Sequence, residues 1–202
     1  MPALDRDIAV VRRIRDSAGT PGCASAYAEL VNRHKDKAMT LAVRILGDHL
    51  DAEEALQDAF VRAFRALDSF DERARFSTWF YRILYNVCMT RLTRRASLQK
   101  AFPPGPDDAL EYQQSSEPSP FASLELSDRA WQVKMAIRQL PEQYATVVTL
   151  FYVQEMSHEE IAEVTGMPIG TIKTNLHRGR RQLAEVLRKR GVAPEHAVQE
   201  MR

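Results

Sequence analysis

A chain of 202 residues, 45% apolar and 27% charged, is long enough to build two small cores and too apolar to remain a disordered polymer. Its net charge of +1 argues against a uniformly basic nucleic-acid coat, so contact with a polyanion has to come from local blocks of charge. Cys23 and Cys88 are far apart and form no C-x-x-C pair, which speaks against a disulfide framework or a thiolate zinc site; no apolar run approaches the roughly 20 residues of a membrane span, and the start Met1-Pro2-Ala3-Leu4-Asp5-Arg6-Asp7 lacks a signal-peptide pattern, so a cytoplasmic protein is expected.

In chain order, Ile8 to Ile14 predicts a short helix within an N-terminal extension of residues 1–22. Tyr27, Leu30, Val31, His34, Ala38, Leu41, Ala42 and Ile45 recur at three- and four-residue steps, the spacing of one helical face, until Gly47 stops the pattern. A helix from about Asp51 carries acids at its N-terminus, where the dipole favours them, and an apolar face of Ala55, Leu56, Ala59, Phe60, Ala63, Phe64 and Leu67. After Asp68-Ser69-Phe70-Asp71 a further helix runs from about Ser77 to Arg95, with Trp79, Phe80, Ile83, Leu84, Val87, Cys88 and Leu92 on its core side. These elements compose a first domain over 23–98.

Five of the ten prolines fall between Pro103 and Pro120, beside Gly105 and Gln113-Gln114-Ser115-Ser116, a composition that resists helix and strand alike. From Ala101 to Asp128 there are six acids and no Lys or Arg. Residues 99–123 are therefore a proline-rich acidic linker. Beyond it, a second domain over 124–190 opens with a helix from Leu124 to Leu140, and Pro141 restarts a segment that buries Tyr144, Val147, Val148, Leu150 and Phe151. Ser157-His158-Glu159-Glu160 has the form of a capping box, in which the serine oxygen accepts from a helix amide and the glutamate accepts from the serine amide. A short helix through Ile161, Ala162 and Val164, a turn at Gly166, and a basic helix from Pro168 with Ile172, Leu176, Leu183 and Leu187 inward make a helix-turn-helix; residues 191–202 are a tail. Strand-like alternation with turn dipeptides is absent, so the fold class is all-α, two small helical domains joined by the linker.

Charge places the candidate sites. Glu72 to Lys100 holds seven basic residues against one acid, and Thr171 to Arg190 repeats that ratio, which suggests two contacts with one polyanion. In a helix-turn-helix the second helix enters the major groove by its N-terminal part; with Ile172 and Leu176 inward, Thr171, Lys173, Thr174, His177, Arg178 and Arg181 face out. A lone basic helix is equally a solvated surface, but cap, turn and basic helix together favour DNA. Around the earlier basic block, Phe70, Phe76, Trp79, Tyr81 and Tyr85 supply the aromatic and cationic mixture suited to single strands. Rings such as Trp79 and Phe80 are more often core than stacking platform, so Arg75, Arg82, Asn86, Arg91, Arg94 and Arg95 are the stronger candidates. The acidic run Asp51 to Asp58 fits either a solvated helix face or a docking surface for a basic protein.

Asp51-Ala-Glu-Glu-Ala-Leu-Gln-Asp-Ala-Phe60 and Phe76-Ser-Thr-Trp-Phe-Tyr-Arg-Ile-Leu-Tyr-Asn86 resemble conserved region two of the extracytoplasmic-function sigma factors of the sigma-70 family. Leu140-Pro-Glu-Gln, Ser157-His-Glu-Glu-Ile-Ala162 and Gly170-Thr-Ile-Lys-Thr-Asn-Leu-His-Arg178 resemble their region four, in order and across the expected linker. The resemblance implies a transcription initiation factor that carries RNA polymerase core to promoters. Asp51, Glu53, Glu54, Gln57 and Asp58 would meet the clamp helices of the largest subunit, with the flap as a second contact. Arg75, Ser77, Arg82, Asn86, Arg91, Arg94 and Arg95 would open and hold the minus-ten element as single strand, Asn86 and the loop Asp71-Glu72-Arg73-Ala74-Arg75 reading an extruded base. Thr171, Lys173, Thr174, His177, Arg178 and Arg181 would read the minus-thirty-five duplex, the linker would thread toward the RNA exit path, and an anti-sigma protein is an implied partner. Two positions depart from the family pattern: Ala55 replaces an acid or bulkier residue, and Gly179 replaces an alanine at a helix-stability cost of about 1 kcal/mol.

No Gly-rich phosphate loop, nucleophile elbow or H-E-x-x-H occurs, and the five histidines lack metal-ligand spacing, so no enzyme, cofactor or metal is expected. The remaining rival is a stand-alone helix-turn-helix regulator with an N-terminal sensing or dimerisation domain, which would bind duplex specifically without polymerase.

Overall fold

A computed structural model of the chain describes residues 4–101, 133 and 135–191. The proline-rich linker beyond Ala101, most of the helix expected from Leu124, and the tail beyond Gly191 lie outside the described residues.

Helix α1 spans Leu4–Asp16, longer at both ends than the apolar stretch suggested, and buries Val10, Val11 and Ile14. Helix α2, Pro21–Leu46, opens on a proline whose fixed φ suits the first turn and closes at Gly47, where φ is 77° and the amide donates to the Val43 carbonyl. Asp48 caps α3, His49–Arg65, accepting the Asp51 amide at 2.8 Å. A 3-10 turn at Leu67–Ser69 leads through Phe70 to α4, Phe76–Ala101, a helix that continues past Arg95 and past residue 98, where the linker was expected to start. Helices α1, α3 and α4 all pack on α2 around Leu30, Leu41, Phe76, Phe80 and Leu84. Phe60 of α3 stacks on Phe80 of α4 with ring centroids 4.5 Å apart. Phe64, expected on the apolar face of α3, is instead 44% exposed.

In the C-terminal half, residues 135–138 are helical and Pro141 precedes α5, Glu142–Val148, which runs into a π-helical turn at Thr149–Val153. Tyr144, Val147, Val148 and Leu150 are buried as expected, whereas Phe151 is only half-buried, its ring covered in part by the Arg180 guanidinium and His158. Helix α6, His158–Thr165, is opened by both bonds of the Ser157–Glu160 capping box and closed by Gly166 at φ 72°. Helix α7, Ile169–Lys189, then runs unbroken. Gly179 faces α5 there: a Cβ would stand 2.7 Å from Val148 Cγ2 and 3.3 Å from Tyr144 Cβ, so the glycine permits close approach of the two helices.

No strand occurs among the described residues, and the chain is all-α. The two halves touch: α4 packs on α6 and α2 on α5. Arg44 of α2 donates to the carbonyls of Arg138 at 3.0 Å and Leu140 at 2.6 Å, and Gln154 donates to the Lys37 carbonyl at 2.8 Å. Among the described residues no helix is long and apolar enough to cross a membrane.

Candidate nucleic-acid interface

On α7 the burial pattern follows the sequence periodicity. Ile172, Leu176, Leu183 and Leu187 are buried, and Thr171, Lys173, Thr174, His177, Arg178 and Arg181 are all exposed on the other side. The first turn of α7 carries no acid, so its N-terminal end joins side-chain cations to the positive end of the helix dipole. Arg181 lies 3.7 Å from Glu185, one turn on, and stays 80% exposed. Arg180, on the adjoining face, is held over the rings of Phe151 at 5.4 Å and Tyr152 at 5.3 Å, which braces the helix against the π-helical turn.

The candidates on α4 and just before it have different surroundings. Arg82, Asn86 and Arg94 are exposed along one face, spaced by single and double helical turns, and form an open polar stripe. Arg75, before the helix, and Thr78, inside it, instead turn to the C-terminal half, where Glu160 Oε1 accepts from Thr78 Oγ1 at 3.0 Å and lies 3.4 Å from Arg75 Nη1. Arg91 and Arg95 lean on α3: Arg91 donates to Glu54 at 3.0 Å, and Arg95 lies 3.7 Å from Asp51. Ser77 is partly exposed at the start of the helix. The aromatic side chains belong mostly to the core: Phe70, Phe76, Phe80, Tyr81 and Tyr85 are buried, and Trp79 is half-buried against Phe70 and Phe76. They frame the basic helix rather than offering stacking faces. In the loop before it, the Arg73 guanidinium chelates Asp71 and holds its carboxyl down to about 2.

The acidic set lies on one side of α3. Glu53, Glu54 and Gln57 are exposed, while Asp51 and Asp58 are partly covered, Asp58 by a two-pronged bond from Arg62 with both contacts at 2.9 Å. Two of the five acceptors thus engage arginines assigned from sequence to a different ligand. Sequence reasoning also missed Glu160 as a link between the halves and the cations of α1, because contacts between residues far apart in the chain leave no periodic trace. The S-x-x-E pattern did mark Glu160, but only for its cap.

Comparison with known proteins assigns these surfaces to a family. The family description "Sigma-70 region 2" matches residues 30–98, and "Sigma-70, region 4" matches residues 130–183. The ECF RNA polymerase sigma factor SigW of Bacillus subtilis (strain 168) is 37% identical over 174 residues, covering 83% of this chain and 91% of SigW. The ECF RNA polymerase sigma-E factor of Escherichia coli (strain K12) is 34% identical over 167 residues, covering 79% and 85%. Among solved structures, the sigma factor RpoE in complex with the anti-sigma factor NepR from Bartonella quintana shares the fold with a TM-score of 0.63 at 24% identity, over 80% of this chain and 96% of that one. CnrH in complex with the cytosolic domain of CnrY does so with a TM-score of 0.56 at 23% identity, over 91% and 97%. With both sigma-70 regions present in order, and a relative 37% identical across most of both chains, the chain belongs to the ECF RNA polymerase sigma factors of the sigma-70 family.

Proposed function

We propose that this sigma factor carries RNA polymerase core to specific promoters in the cytoplasm and takes part in opening them, its two halves dividing the work at proposed boundaries of 23–98 and 124–190. The family consists of non-catalytic regulators of transcription, so the task is recognition. Asp51, Glu53, Glu54, Gln57 and Asp58 meet the basic clamp helices of the largest polymerase subunit, and the C-terminal half reaches the flap. Arg82, Asn86 and Arg94, with Ser77 at the head of the helix, track the minus-ten strand; Arg75, Arg91 and Arg95 join them on release from Glu160, Glu54 and Asp51. The loop Asp71 to Arg75 and Asn86 read an unstacked base. Thr171, Lys173, Thr174, His177, Arg178 and Arg181 enter the major groove of the minus-thirty-five element. An anti-sigma factor is the regulatory partner, as NepR is for the sigma factor RpoE among the structural neighbours.

The observation that carries this reading is the α7 face, where six residues selected from sequence for base and phosphate contact are all exposed opposite the buried stripe. Transcription in vitro from genomic fragments, with purified core and with or without the chain, tests it. Starts that depend on the chain are expected, and Lys173→Ala with Arg178→Ala should weaken those that have a minus-thirty-five element. Specific duplex binding without polymerase, and no dependent starts, would overturn the reading in favour of a stand-alone regulator.

A further inference from the structure

The loop between α3 and α4 is held by a residue outside both matched segments. Arg15, on α1, reaches across to the chain reversal that follows α3. Its Nη2 donates to the carbonyl of Leu67 at 2.7 Å and to that of Phe70 at 2.8 Å, and its Nη1 donates to Glu72 Oε1 at 2.7 Å. Arg12, one turn earlier, donates from Nε to the second oxygen of Glu72, also at 2.7 Å. Arg15 and Glu72 are each only 26% exposed, so the bond between them is better shielded than a surface ion pair, whereas Arg12 stays largely exposed. Beside them Phe70 is buried against Phe76 and Trp79, with centroids 5.8 and 5.2 Å away. The segment is thus tied at Leu67, Phe70 and Glu72 on one side and at Phe76 on the other. Between the ties Asp71 and Arg73 stay exposed and pair with each other. A guanidinium satisfies three acceptors in a fixed fork; an ammonium on a flexible stem does not.

We propose that Arg15 is a positioning residue for base selection: by pinning Leu67, Phe70 and Glu72 it presents Asp71 and Arg73 in one conformation to the unstacked base of the minus-ten strand. The inference rests on the loop's proposed part in reading that base. Its physical content is preorganisation, since a loop that is already ordered loses less entropy on meeting its ligand and discriminates better between ligands.

The test is transcription by the full chain with core polymerase from promoters randomised across the minus-ten element, scored as base preference at each position. Asp71→Ala with Arg73→Ala first identifies the position that the loop reads, as the one whose preference it flattens. Arg15→Met is then expected to reduce preference at that same position about tenfold, the loss that one charge-assisted contact gives, with preferences elsewhere unchanged. Arg15→Lys, which keeps charge and stem but not the fork, should fold normally and show a smaller loss there, and it carries the test where Arg15→Met does not fold. Wild-type preference at the loop-dependent position in a folded Arg15 variant overturns the proposal while leaving the loop's role intact. An even fall at every position in the folded variants also overturns it, because that is the mark of a merely structural residue. If Asp71→Ala with Arg73→Ala changes no position, the loop's role fails, and the proposal with it.

Discussion

A methyl group added at Gly179 meets two opposed effects. Alanine is favoured over glycine in a helix by about 1 kcal/mol, but here its Cβ would stand 2.7 Å from Val148 Cγ2, on a β-branched side chain with little rotamer freedom. Overpacking typically costs 1–3 kcal/mol, so Gly179→Ala is expected to lower stability by about 1 kcal/mol in urea unfolding. A gain would show that α7 moves off α5 without cost. From sequence the residue was legible only as a weak point in a helix, since the approach of α5 is a tertiary fact. The two cysteines differ as the core-side position of Cys88 on its helix leads one to expect. Cys88 is fully buried and burial pushes its thiol up to about 12, whereas Cys23 is half-buried. A thiol reagent at pH 8 should therefore modify Cys23 in the folded protein and reach Cys88 only after unfolding; rapid double modification would contradict the packing of α4.

Helix α3 presents acids both to solvent and to α4, and the two roles can be separated. The Glu54–Arg91 pair is largely exposed and contributes on the order of 0.5 kcal/mol. Glu54→Arg should lower stability by about that amount and weaken binding to core polymerase. Adding Arg91→Glu should restore the stability but not the binding, because the α3 acid is still missing; recovery of both would make Glu54 a purely structural partner. At this scale the sequence was most informative. Among the described residues the period of 3.6 located the long helices α2, α3, α4 and α7, the capping box and its glycine turn located α6, and all six α7 candidates fell on the exposed face. What periodicity could not do was assign a partner to each arginine of α4. Arg82 and Arg94 remain open while Arg91 and Arg95 meet α3, a difference set by a neighbouring helix rather than by their own spacing.

The proline-rich linker suggested two units with separate tasks, and the contact between α4 and α6 was not legible because its residues lie more than eighty positions apart. One carboxylate serves both sides of that contact: Glu160 Oε2 accepts the Ser157 amide of the capping box while Oε1 faces Arg75 and Thr78. Glutamine can keep the capping box but not the charge. Glu160→Gln should therefore free Arg75 and raise the affinity of the isolated chain for a single-stranded minus-ten oligonucleotide by about two- to fivefold, the equivalent of one partly exposed ion pair. Unchanged affinity would mean that closure does not shield this arginine. The Arg15 latch has its own consequence, in the order of synthesis. The groups it holds lie 52 to 57 residues later in the chain, which at about 5–20 residues per second puts them roughly 3–11 s behind it on the ribosome. Within that interval α2 is completed, at Leu46, so the buried face of α1 can pack on it while the guanidinium stays in water until the chain reversal after α3 emerges to receive it.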